Sequence, residues 1–202
     1  FEAEPLYDQA AVNRFKAKVA NLKPEGLLLF PLHMNRWGHV GQLTDLKTPT
    51  VVFAGLGVCF TGHIKDISRK RGVYVASSND FTLRPVYFGL KMIKTKWILE
   101  HTTIAVLRGK ERLEHKIPLG LTLKFIPRNL FVEVYRKMPV DDTVRAIAEE
   151  YRKRAAKIVE PSPQDLINAA KTYTAAKKIM KDENCQGIAM DCLGLVAARL
   201  VP

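Results

Sequence analysis

Asp191 closes the stretch Gln186–Gly187–Ile188–Ala189–Met190–Asp191, an apolar run of strand type that ends in an acid. Burying a lone carboxylate is costly, so an apolar strand that delivers one calls for a reason. Residue type alone leaves two roles open. Asp is a good N-cap for a following helix, where its side-chain oxygen accepts from a backbone N–H. A carboxylate at a strand end can also bind a divalent ion or move a proton. No His-x-x-x-His, Glu-x-x-His or second acid stands beside Asp191 in the sequence, so a divalent site is not completed locally.

In open parallel sheets, ligands bind beyond the carboxyl ends of the strands, and that rule selects further candidates. After the run Gly26–Leu32 come His33, Met34, Asn35, Arg36, Trp37, Gly38 and His39. After Thr48–Leu56 come Cys59, Thr61, Gly62 and His63. After Arg71–Ser77 come Ser78, Asn79 and Asp80, an ordinary turn sequence. After Thr102–Gly109 little follows beyond Gly109 and Lys110. Trp37, between Arg36 and Gly38, is placed either to plug the edge of a core or to wall a pocket and stack on a ring. His39 and His63 are candidate substrate-binding side chains, set against the alternative of ordinary loop histidines. The segment Gly55–His63 has neither the Lys of a phosphate-binding loop nor the G-x-G-x-x-G spacing, which argues against a nucleotide site.

The elements that must position these groups alternate between two periods. Leu6–Leu22 has helical spacing of apolar residues. Gly26–Leu32, Thr48–Leu56, Arg71–Ser77, Thr102–Gly109, Leu121–Pro127 and Gln186–Asp191 read as strands. Trp37–Leu46, Pro85–His101, Lys110–Gly120, Asp141–Val159 and Ser162–Glu183 read as helices, the last with Ser162 as N-cap, Pro163 first and Asp165 third. A terminal helix is expected after Asp191. Alternating strands and helices imply an α/β fold with parallel sheets. The expected architecture is two small Rossmann- or flavodoxin-like domains in tandem, residues 1–98 and 99–202, the second truncated.

Composition bounds the function. The chain has 202 residues, of which 47% are hydrophobic and 26% charged, ordinary values for a globular protein. It contains no apolar run of about 20 residues and no basic-then-apolar opening segment. A cytoplasmic protein with no membrane partner is expected. Phe1 in place of Met and the apolar run at the C-terminus suggest a piece of a longer chain. The three cysteines, Cys59, Cys185 and Cys192, lack a disulfide framework or zinc spacing and are expected to be buried, reduced thiols. The net charge of +12 raises nucleic acid as a partner. The charges are scattered, however, and the run Tyr151–Lys157 follows two acids, as on a solvated helix face. No nucleic-acid partner is expected.

Several stretches together carry a resemblance: LLLFPLHMNRWGHVGQ, TPTVVFAG, RPVYFGLKMIKTKWILEHTTIAVLRG, LGLTLKFIPRNLFVEV and NAAKTYTAAKKIMKDENCQGIAMDCLG. In order and over nearly the whole chain, they resemble the N-terminal and middle domains of the L-fucose and L-arabinose isomerase-like family. The resemblance implies aldose–ketose interconversion of a monosaccharide at a divalent ion of manganese type. It implies that Asp191 is both a metal ligand and the acid–base carboxylate. It also implies a homo-oligomer with sites between subunits, in which Trp37 lines a pocket offered to a neighbour. Two departures stand out. The family's second carboxylate and histidine ligand would follow Pro202, so this stretch by itself is expected to be inactive. Better-known members also place Glu where this chain has Asp191. The alternative function is a non-catalytic sugar- or metabolite-binding α/β module.

Overall fold

The structure, a computed structural model, describes residues 4–78 and 82–197. The chain divides into two compact units, Phe1–Ile98 and Leu99–Pro202, and the boundary falls within a helix spanning Arg84–Glu100. Both units are α/β, each with its own mainly parallel sheet.

The first unit contains α1 (Gln9–Leu22), β1 (Leu27–Leu29), a 3₁₀ turn (Met34–Arg36), α2 (Trp37–Thr44), β2 (Thr50–Gly55), α3 (Thr61–Ser68), β3 (Val73–Ser78) and most of α4 (Arg84–Glu100). The strands are parallel in the order β1-β2-β3. The central strand β2 is covered on both faces, which is why its sequence is almost uniformly apolar. Alternation along the strands divides the core. Leu27, Leu29, Val52 and Ala54 pack with Val12 and Val19 of α1, Trp37, Val40 and Leu43 of α2, and Ile67 of α3. Val51 and Ala76 face the other way and meet Val86 of α4. Gly89 permits that approach: a Cβ there would lie 2.7 Å from both Tyr74 Cδ1 and Val51 Cγ2.

The second unit contains β4 (Thr103–Leu107), β5 (Leu113–Lys116), β6 (Thr122–Ile126), α5 (Arg128–Lys137), α6 (Asp142–Arg154), α7 (Pro163–Asp182), β7 (Gly187–Met190) and α8 (Cys192–Ala197). Its strand order is β5-β6-β4-β7. Strand β4 pairs in parallel with both β6 and β7, while β5 runs antiparallel along the outer edge of β6. From β4 the chain steps to one side for β5 and β6. It then returns through α5, α6 and α7 to lay β7 on the other side. One sheet face buries Ala105, Leu107 and Ile126 against Phe131 and Val132 of α5, Ala175 and Ile179 of α7, and Leu195 of α8. Helix α6 packs through Val144 and Ala148 on Ala170 of α7. The opposite face carries Ile104, Val106, Leu123 and Phe125, all half-buried, and Ala189, exposed.

Helix α7 begins as its sequence predicts. The Asp165 amide donates to Ser162 Oγ at 3.2 Å, and the Ser162 amide donates to Asp165 Oδ2 at 2.8 Å. Other segments depart from expectation. Lys110–Gly120 is no helix; it holds β5 and the turn into β6. The unpaired backbone of β6 offers Leu113–Lys116 a ladder, and all four side chains of β5 stay exposed, as suits a charged edge strand. Two helices, α3 and α5, occupy segments to which the sequence pattern assigns no element. Helix α6 stops at Arg154, five residues before Val159, because Ala155 turns to an extended conformation. All three cysteines are free, but only Cys185 is buried; Cys59 is half-buried and Cys192 exposed. Among the described residues no helix is long and apolar enough to cross a membrane.

Candidate functional site

The strand order of the second unit makes a reversal point. From β4 the chain moves first toward β6 and later to β7 on the opposite side, so the carboxyl ends of β4 and β7 flank the place where an open sheet accommodates ligands. Three backbone hydrogen bonds fix that edge. The Arg108 amide donates to Ile126 O at 3.0 Å, the Asp191 amide to Leu107 O at 3.2 Å and the Arg128 amide to Gly109 O at 3.3 Å. Arg108, Gly109, Arg128 and Asp191 are thereby set along one sheet end.

Asp191 is exposed, so the apolar strand does not bury its carboxylate. Its Oδ1 accepts from the Gly194 amide at 3.3 Å, and its carbonyl accepts from the Leu195 amide at 3.3 Å. Asp191 therefore caps α8, the plainer of the two roles its residue type allows. The cap engages one carboxylate oxygen. Gly194 lies tightly beneath this group: a Cβ there would sit 2.8 Å from Asp191 Oδ2 and 3.3 Å from Arg128 Nη1, so a larger residue would have to push the carboxylate aside.

Trp37, His39 and His63 belong to the first unit. Trp37 is 5% exposed and lies in the core of that unit. Its indole N–H donates to Val58 O at 2.7 Å, and its ring stacks on His63 with centroids 5.2 Å apart and planes 8° from parallel. Trp37 and His63 are thus brought together. His63 Nδ1 also accepts from the Phe60 amide at 3.2 Å, closing the start of α3. His39, two residues along α2 from Trp37, points elsewhere and meets Leu6 O through Nδ1 at 3.2 Å. His33 is exposed and caps the 3₁₀ turn, with Nδ1 accepting from the Asn35 amide. Asn79 and Asp80 lie outside the described residues.

Among the described residues no three His, Cys, Asp or Glu side chains converge as a metal site. Asp191 supplies one oxygen donor beside a cation, so the described residues do not by themselves fit a manganese ion. Arg108, Lys110 and Arg128 form no ion pair among the described residues. The basic run at the end of α6 is different, since Arg152 pairs with Glu149 and Arg154 with Glu150.

The most displaced carboxylate lies away from the strand ends. Glu183, at the end of α7, accepts from Arg112 at 2.9 Å and contacts Lys124 Nζ at 2.9 Å. Arg112 and then Lys124 hold its pKa down to about 2 against the opposing effect of burial. The Lys124 ammonium also reaches Glu183 O, at 3.2 Å. The network ties β5 and β6 to the turn before β7, and burial beside it pushes the Cys185 thiol up. A lysine in the middle of the apolar strand Leu121–Ile126 was the sequence signal for this partner. Arg108 and Arg128, absent from the sequence-based candidates, had a signal too: each directly follows an apolar strand run.

Neither a protein-family model nor a curated protein matches this chain.

Proposed function

We propose that this chain is a sugar ketol-isomerase-like protein of the kind its sequence resembles, with Asp191 as its proton-transferring carboxylate. The observation that carries the reading is the placement of Asp191. An exposed carboxylate ends β7 at the strand reversal, with one oxygen committed to the α8 cap and the other without a hydrogen-bond partner among the described residues. Such a group can take the proton from C2 of an open-chain aldose and return it to C1 of the enediol, while the O2 hydroxyl proton passes to O1, giving the ketose. No atom is gained or lost, and the carboxylate ends as it began. No step is assigned to a metal, because the described residues hold only one candidate ligand; manganese, where further ligands complete its shell, would polarise the sugar oxygens. A cytoplasmic location and a homo-oligomeric state go with this reading.

The test is incubation of the native full-length protein with a panel of aldopentoses and aldohexoses in D₂O with manganese. Ketose carrying solvent deuterium at the reprotonated carbon is the expected product. Ketose formed without deuterium would exclude a solvent-exchanging Asp191 shuttle, and absence of ketose from every sugar would remove the isomerase reading. One observation favours a second reading, a non-catalytic metabolite-binding module: the carboxylate faces a guanidinium where a metal site would place further ligands.

A further inference from the structure

We infer that Gly194 is a positioning residue for Asp191: its missing side chain leaves the carboxylate seated at the end of β7, and a larger residue would turn it away. The effect on catalysis rests on the isomerase reading above; the seat itself does not.

Two contacts define the seat. Asp191 Oδ1 accepts from the Gly194 amide at 3.3 Å. A Cβ on Gly194 would lie 2.8 Å from Asp191 Oδ2 and 3.2 Å from Asp191 Cγ, inside normal contact distance. One residue thus holds the carboxylate with its amide and admits it by lacking a side chain. A methyl there would also press on Arg128 Nη1, at 3.3 Å.

The backbone has little freedom to relieve the clash. Leu195, the next residue, is fully buried in the core of the second unit, and its amide donates to Asp191 O at 3.3 Å. The Asp191 amide in turn donates to Leu107 O at 3.2 Å. The mobile party is the Asp191 side chain, which is exposed and held by one hydrogen bond among the described residues. Turning it costs little stability but moves the group that must meet C1 and C2 of the sugar. Helical glycines elsewhere differ: a Cβ on Gly41 of α2 meets nothing within 4 Å. Alanine is the better helix former at either place, so only the contact with the carboxylate separates the two positions.

The experiment uses the native full-length protein with the aldopentose and aldohexose panel and manganese. Gly194→Ala should lower kcat for ketose formation by roughly 10–100-fold, as misplacement of a reacting group by about 1 Å does. KM should change by less than about threefold, and the melting temperature should hold. Gly41→Ala, the same substitution without the contact, should leave kcat alone. In an Asp191→Asn background, Gly194→Ala should cost nothing more, because its effect passes through the carboxylate. The ¹³C resonance of the Asp191 carboxyl should move in Gly194→Ala and stay in Gly41→Ala. Wild-type kcat in Gly194→Ala overturns the inference, and so does a further loss in the Asp191→Asn background. Should Gly194→Ala fail to fold, exchange of the Gly194 amide decides: Asp191→Ala should speed it, and equal rates in the two proteins overturn the seat. If the wild-type protein makes no ketose, the isomerase reading falls. A moved Asp191 resonance in Gly194→Ala would then uphold the seat, and an unmoved one would overturn it.

Discussion

In the first unit the strands follow one another in sequence order, and helices pack against both sheet faces. Its strand-end residues Trp37 and His63 stack on each other and are drawn toward the core. In the second unit the chain reverses at β4. The helices that share its largest core sit on one face, and the strand-end residues Asp191 and Arg108 stay in solvent. The difference shows that a place at the carboxyl end of a strand is not enough to make a side chain functional. The connections must also part there. Where successive crossovers run the same way, as in the first unit, the next helix folds back over the strand end. Where they diverge, the end is left open.

The strongest test of that contrast is Asp191→Asn in the full-length protein. Asn keeps the size and the cap to Gly194 but lacks the basicity that takes a proton. On the proposed isomerase reading, aldose–ketose turnover should fall by roughly 10²–10⁴-fold, with the melting temperature unchanged. Equal turnover in mutant and wild type would reduce Asp191 to a helix cap. Trp37→Ala is the matching probe in the first unit and should behave oppositely. It should cost about 3–5 kcal/mol as a core deletion. Hydrogen exchange should show the loss in residues 4–78, with β4 and β7 still protected. A stable Trp37→Ala protein with impaired sugar binding would instead make Trp37 a pocket residue.

Glu183→Gln sharpens the comparison from the second unit. Because the folded-state pKa of Glu183 lies near 2, below its ordinary 4.5, its stabilising effect is complete above pH 4.5 and drains away as pH falls toward 2. The mutation should lower stability at pH 7 by about 2 kcal/mol and flatten the acid-side loss over that window. Urea titrations of both proteins at pH 7 and pH 3 measure this. Parallel losses on acidification would mean that the Arg112–Lys124–Glu183 network does not fasten β5 and β6 to β7. The smallest effect is expected from Ser162→Ala, which removes half of the α7 capping box and should cost about 1 kcal/mol, read as a shift in the urea midpoint with unchanged slope.

Much of the architecture was legible in the sequence because it rests on local signals. The apolar run Thr50–Gly55 announces a central strand, and Ser162, Pro163 and Asp165 announce the start of α7. What escaped depends on distant partners. The charges of Lys110–Lys116 look helical until β6 offers an edge, and nothing local reveals that Arg112 will meet Glu183, 71 residues on. The candidate site was half legible. Asp191 stood out as an acid after an apolar strand; Arg128 also follows an apolar run, but only the strand order sets it on the same sheet end as Asp191. Trp37 showed the limit of the strand-end rule, since a ring flanked by Gly38 and Arg36 reads equally as a pocket wall or a core plug. The hydrogen bond from its indole to Val58 O depends on where α2 settles.

The return of β7 to the side of β4 also bears on how the protein comes into being. The Thr103 amide waits for the side chain of Gln186, 83 residues further along, and β4 has no partner on that side until then. In the first unit each strand meets the next within a few tens of residues, so its contacts are shorter in range and should form sooner. On a ribosome adding about 5–20 residues per second, the edge of β4 stands bare for several seconds or more. Pulse-labelling exchange should find the amides of Gly187–Met190 protected last. A chaperone that shields nascent strands would have its main task in that interval.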